Sequence, residues 1–299
     1  MHKRKSKKAV ILCVVIIAAF LVLSMSSALA DTANGTIKDI PDLYGQVRKG
    51  YNMGRQGPIS MVKATMQGEQ GNKDIYLVML SGTEMVSGQA TDFKVDMLSA
   101  AGKDNDYLKN VVNTITSNAP KGSNLVVAGH SLGGMIAQQV STNSTIKDGY
   151  NILNIIGIGS PLINPTGREG TVVRLGDTKD SVPSMTSCGA QFPKENAELC
   201  KENGGFSNSL SAHTGSYSKK NVWGQYDAVG KKGGNTTISF DTGAVKFYKC
   251  PSGAKAGTAG TSGSSSGNGG GGLFSNWMNM FNKNKTNNST NTTNPQQGN

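Results

Sequence analysis

Between residues 31 and 250 the apolar positions gather into short runs separated by polar, glycine-containing stretches. Ile75-Tyr76-Leu77-Val78-Met79-Leu80 is continuous and apolar, as a strand covered on both faces must be. Residues 59–66 predict the strand before it, with the turn-forming residues 67–72 between the two. Tyr107, Leu108, Val111, Val112 and Ile115 recur at helical spacing, and Pro120 and Gly122 mark where that helix must stop. Residues 125–128 then predict a short buried strand, 133–140 a helix, and 152–158 and 171–175 two more buried strands. Strand and helix alternating in this way imply an α/β protein with a mostly parallel central sheet and crossover helices.

The two ends read differently. Lys3, Arg4, Lys5, Lys7 and Lys8 precede an apolar run at 9–23, and Ala28-Leu29-Ala30 offers the small residues that a signal peptidase reads. The run is short for a bilayer core, which needs about 20 residues. Residues 1–30 are therefore expected to be a cleaved signal peptide, and the protein to be extracellular, periplasmic or cell-surface associated. Residues 31–250 would be the catalytic unit, and 251–272, almost all Gly, Ser, Thr and Ala, a flexible linker spanning about 25 Å. In 273–299, Leu273, Phe274, Trp277, Met278 and Phe281 fall on one face of a short helix, followed by an Asn/Thr-rich tail. That segment reads either as a patch packing back on the domain or as a peripheral anchor at a lipid interface.

Charge changes the picture little. The chain carries +11, but five cations lie in residues 1–8 and three follow Cys250, which leaves +3 for 31–250. A nucleic-acid binder would concentrate basic residues on its folded part, so that class is disfavoured. Export would make Cys13 irrelevant and would permit a disulfide among Cys188, Cys200 and Cys250, with Cys188–Cys200 closing the shortest loop. The cysteine spacing resembles no zinc ligand set, so neither metal nor cofactor is expected.

The candidate chemistry sits in Gly129-His130-Ser131-Leu132-Gly133-Gly134, between a strand and a helix. Gly-x-Ser-x-Gly alone is weak: Gly263-Ser264-Ser265-Ser266-Gly267 in the linker matches it as well. The strand entering and the helix leaving make the first match a nucleophile elbow, and the N–H of Leu132 a candidate oxyanion donor. A serine needs a base, and His130 and His213 are the histidines outside the leader. His130 adjoins Ser131 and should leave the turn in another direction. His213, read as part of a polar loop at 211–217, is the remaining partner. The orienting acid should lie between serine and histidine in the chain. Asp177 and Asp180 both follow the strand at 171–175, whereas Glu169 precedes it and Asp148 reads as loop. Position alone favours Asp180 only weakly.

These segments resemble the class 3, fungal-type lipase family of α/β-hydrolases over roughly residues 60–220, in an exported bacterial-type form. Leu80-Ser81-Gly82-Thr83-Glu84 is similar to the family's strand ending in Arg-Gly-Thr or Arg-Gly-Ser. Residues 91–98 resemble its Asn-Trp-x-x-Asp-Leu, Gly129–Gly134 its nucleophile motif, and Gly157–Pro161 its Phe-Gly-Ser-Pro. Asp180-Ser181-Val182-Pro183 is similar to its acid motif, and His213 with Tyr217 to its His-then-aromatic signal. Ser81 and Phe93 stand where the family has Arg and Trp. The resemblance implies an α/β-hydrolase fold, with Ser131 as nucleophile, His213 as base, Asp180 as its acid, and Thr83 with Leu132 as oxyanion hole. It implies a secreted lipase or carboxylesterase acting on lipids or small esters, with a lid near residues 84–95. A phospholipase of the same fold, or an inactive surface-binding protein on this scaffold, is the alternative.

Overall fold

The structure is a computed structural model that describes residues 34–52, 55–69, 71–82, 105–163, 166–184 and 199–250. The expected leader, linker, tail and lid, together with Thr83 and Cys188, lie outside the described residues.

The first elements are β1 (Asn34–Ile37), α1 (Ile40–Val47), β2 (Ile59–Gly68), β3 (Gly71–Leu80), α2 (Asp106–Asn118) and β4 (Asn124–His130). After them come α3 (Leu132–Val140), α4 (Ser144–Gly149), β5 (Asn151–Ile158), β6 (Thr171–Asp177) and β7 (Leu199–Glu202). The chain then forms α5 (Ser209–Gly215), α6 (Lys220–Trp223), β8 (Thr237–Asp241) and β9 (Lys246–Tyr248). One sheet has the order β1-β8-β2-β3-β4-β5-β6-β7, with β9 also pairing β2. From β3 to β7 every neighbouring pair is parallel, and β1, β8, β9 and β2 form an antiparallel flank. The expected mostly parallel α/β architecture is what the chain adopts.

The buried stretches of the central strands are apolar on both faces because they serve two cores. Val78, Leu80, Leu125 and Val127 pack with Val111 and Ile115 of α2 and Met135, Ile136 and Val140 of α3. Leu77, Met79, Val126 and Ala128 point to the other face, against Ile40, Leu43 and Tyr44 of α1 and Trp223 of α6. Full burial of each larger aliphatic side chain contributes roughly 1.5–3 kcal/mol. Helix starts follow from local chemistry. Asn105 caps α2 by accepting from the N–H of Leu108 (2.7 Å), and Asp39 caps α1 through Asp42 (3.0 Å).

Four details differ from the sequence expectations. β2 and β3 extend to Gly68 and Gly71, so the segment read as a long turn closes as a tight hairpin. Asp148 lies in α4 rather than in a loop, because Asn143 caps that helix. The connection from β5 to β6 contains no helix among its described residues. The antiparallel flank, joining residues about two hundred positions apart, has no counterpart in the pattern reading. Cys200 and Cys250 are free thiols, so neither carries the disulfide that export would permit. Among the described residues no helix is long and apolar enough to cross a membrane.

Candidate active site

β4 delivers the chain to the elbow. Ser131 has φ 57° and ψ −124°, and among the described residues it is the only non-glycine with positive φ. That conformation is costly and persists only when its surroundings impose it. The Ser131 N–H donates to Ile158 O (2.9 Å), while its carbonyl accepts from Gly134 (3.0 Å) and Met135 (3.3 Å) as α3 begins. A Cβ at Gly129 would collide with the carbonyl group of Gly133, and one at Gly133 would collide with that of Leu80. The spacing of the glycines is thus what lets the turn fold on itself and sit against the end of β3. Ser131 makes no capping hydrogen bond to α3, so its hydroxyl is not committed to the helix that it begins. Leu132 is the first residue of that helix, where backbone N–H groups have no intrahelical partner.

Asp180 lies three residues past β6, in a turn closed by its own N–H on Asp177 O (3.0 Å). Its Oδ1 accepts from the Val182 N–H (2.9 Å), and its Oδ2 accepts from His213 Nδ1 (2.9 Å) and from the Tyr217 hydroxyl (2.6 Å). Asp180 is 4% exposed and His213 5%, so this is a desolvated pair. A carboxylate only accepts, so the His213 proton sits on Nδ1 and leaves Nε2 as the acceptor. Burial, and then the Asp180 charge, push Tyr217 well above the ordinary tyrosine value, so it stays a donor. Asp177 is also buried, but its oxygens are taken by the N–H of Lys179 (2.7 Å), the N–H of Gly204 (2.7 Å) and the Ser216 hydroxyl (2.5 Å).

His213 lies not in a loop but in α5, which Asn208 caps through the Ser211 N–H (2.9 Å). Ser209, at the head of α5, accepts from the Ser181 N–H (2.9 Å), which ties the acid turn to the histidine helix. Tyr44 of α1 donates to Thr214 O (3.0 Å) at the other end.

His130 joins the cluster around His213, a placement that the sequence alone does not reveal. Its ring lies 4.5 Å from that of His213, between Tyr44, Tyr51 and Tyr217. Its Nε2 bonds the His213 carbonyl (3.1 Å) and its Nδ1 the Tyr51 hydroxyl (2.6 Å). Burial foremost, and then the neighbouring His213, hold His130 well below the ordinary value of 6.5, and it remains neutral. Tyr51 and Tyr217 belong to the same cluster. Sequence reasoning missed Tyr51 because only the fold brings it to the motif.

The structure therefore joins Asp180 directly to His213 and stacks His213 on the neighbour of Ser131. Among the described residues no hydrogen bond links Ser131 Oγ to His213. Gly82, two residues past β3, borders the elbow: a Cβ there would lie 2.9 Å from that of Ser131. Thr83 lies outside the described residues. No group of three His, Cys, Asp or Glu side chains suited to a metal occurs among the described residues. A groove lined by Met66, Lys73, Leu153, Thr171 and Lys231 lies at the opposite ends of the parallel strands. Open α/β sheets bind ligands at the carboxyl ends, where Ser131 and Asp180 are.

No curated protein and no solved structure matches the chain. A family model does: residues 86–217, which include Ser131, Asp180 and His213, match the PGAP1-like alpha/beta domain, a hydrolase-type family.

Proposed function

We propose that this chain is an exported serine ester hydrolase, of the lipase or carboxylesterase kind, working through Ser131, His213 and Asp180. The observation that carries this reading is the strained backbone of Ser131 at the carboxyl end of β4, whose neighbour His130 lies against the buried His213–Asp180 pair. Strain of that kind in a strand–helix turn has a use when the serine must stand clear of the sheet.

In the proposed reaction Ser131 Oγ attacks the ester carbonyl carbon while His213 Nε2 takes its proton. The carbonyl π electrons move to oxygen, and the N–H of Leu132, with Thr83, stabilises that oxyanion. Collapse of the intermediate expels the alcohol, which leaves with the proton from His213, and Ser131 keeps the acyl group. Water then repeats the sequence and releases the acid. Asp180 holds the ring with Nδ1 protonated and stabilises the imidazolium, and Tyr217 and Val182 fix Asp180. The missing contact between Ser131 and His213 fits this scheme, because catalytic hydrogen bonds are often long without substrate.

Nitrophenyl esters of increasing chain length, followed by triglyceride and phospholipid emulsions, test the reading and rank the substrates. Turnover lost in Ser131→Ala and His213→Ala supports it. A wild-type chain inert toward all of them, or active without Ser131, overturns it.

A further inference from the structure

The bonds around His130 run in one direction. The His213 carbonyl only accepts, so the proton of His130 is on Nε2 and donates there (3.1 Å). Its Nδ1 is then a bare acceptor for the Tyr51 hydroxyl (2.6 Å). The Tyr51 oxygen in turn accepts from the Gly82 N–H (2.7 Å). Four groups from four separate parts of the chain are thus linked, from just past β3, through the segment after α1 and the elbow, to the backbone of α5. The same strand end is pinned by Tyr107, whose hydroxyl donates to Ser81 O (2.7 Å), and by the Ser81 N–H on Pro58 O (3.0 Å).

Resting on the hydrolase reading above, we infer that Tyr51 and His130 form a positioning pair that fixes the Gly82 end of β3 against the elbow and the histidine helix. Gly82 directly precedes Thr83, the second proposed oxyanion donor. An oxyanion hole works because its donors are aimed before charge develops, so a strand end free to drift costs turnover without costing substrate binding. Neither residue touches the reacting atoms in this scheme. The geometry also explains why a histidine precedes the serine: a side chain there must accept on one edge and donate on the other while staying uncharged. The Gly82 N–H is engaged by Tyr51 and serves in this scheme as the handle, not as an oxyanion donor.

The test uses Tyr51→Phe, His130→Gln and the double variant in the full chain, with kcat, KM and the affinity of a trifluoromethyl ketone that mimics the tetrahedral adduct. Tyr51→Phe should lower kcat about tenfold or more, leave KM within about twofold, and weaken the ketone by the same factor as kcat, because only oxyanion alignment is lost. The double variant should be no worse than the worse single one, since the two act as a unit. Amide exchange at Gly82 should be protected in the wild type and faster in Tyr51→Phe, a readout that needs no catalysis. Unchanged kcat and ketone affinity, effects that multiply in the double variant, or an unchanged Gly82 amide overturn the pair while leaving Ser131 in place. A wild-type chain without ester turnover or serine labelling overturns the hydrolase reading itself.

Discussion

Replacing Asp180 by asparagine isolates the electrostatic part of the site with almost no change of shape. The Val182 N–H that meets Oδ1 (2.9 Å) only donates, so the asparagine carbonyl must settle there. Its NH2 group then faces His213 Nδ1 and the Tyr217 hydroxyl, where Oδ2 now accepts at 2.9 Å and 2.6 Å. A donor facing Nδ1 selects the tautomer with the proton on Nε2, which can no longer take one from Ser131. The flipped amide would set two donors against each other at Val182, costing about 1–3 kcal/mol for the lost bond. In triads of this design the wrong tautomer lowers kcat by about four orders of magnitude, or roughly 5 kcal/mol of barrier. Asp177→Asn is the control. Its bonds to Lys179, Gly204 and Ser216 hold loops rather than His213, so it should lower the melting temperature by several degrees while changing kcat less than about tenfold. Both variants are assayed on a short nitrophenyl ester and melted by circular dichroism. A larger loss of kcat in Asp177→Asn than in Asp180→Asn refutes the reasoning.

Gly133→Ala places a Cβ against the backbone of Leu80 and 2.6 Å from Ser81 O, so it should destabilise the fold by about 1–3 kcal/mol and lower kcat about a hundredfold; full activity would refute the close packing of the elbow on β3. His130 is neutral when folded but binds a proton near pH 6.5 when unfolded, so the stability present above that pH is lost as the pH falls below it. The loss is at most about 1.4 kcal/mol per pH unit, and His130→Gln should melt with a shallower dependence between pH 6.5 and 5. Burial pushes the Cys250 thiol up to about 12, so maleimide at pH 8 should label it slowly in the native chain and quickly in urea, as read by mass spectrometry. Removing residues after Cys250 should leave turnover of soluble esters unchanged and reduce co-sedimentation with anionic vesicles, if the tail is the expected anchor. Equal co-sedimentation would refute that role.

The parallel half of the fold was legible because its strands are apolar on both faces, which is the pattern that two cores demand of residues such as Leu77 and Val78. The antiparallel flank was not, since β1 meets β8 as Asn34↔Asp241 and no local signal couples positions so far apart. The elbow was readable from its glycines and its flanking strand and helix. Position favours Asp180 over Asp177 only weakly and motif likeness adds the rest; it is Asp180 that bonds His213. The helix around His213 was missed because Leu210 and Ala212 give a seven-residue segment too little periodicity, and its cap Asn208 reads equally well as a turn. Adjacency to Ser131 along the backbone says nothing of which other elements the His130 ring meets. The ring of His130 lies 4.5 Å from that of His213, a contact made only when α5 packs beside the elbow.

The most direct measurement of the central claim is active-site labelling of the full chain with a fluorophosphonate, with the modified peptide located by mass spectrometry. A hydrolase working through Ser131 gives one adduct, on Ser131, formed in step with loss of ester turnover and absent from Ser131→Ala. No adduct on the wild-type chain, or an adduct that persists in Ser131→Ala and maps to Ser265, would contradict it.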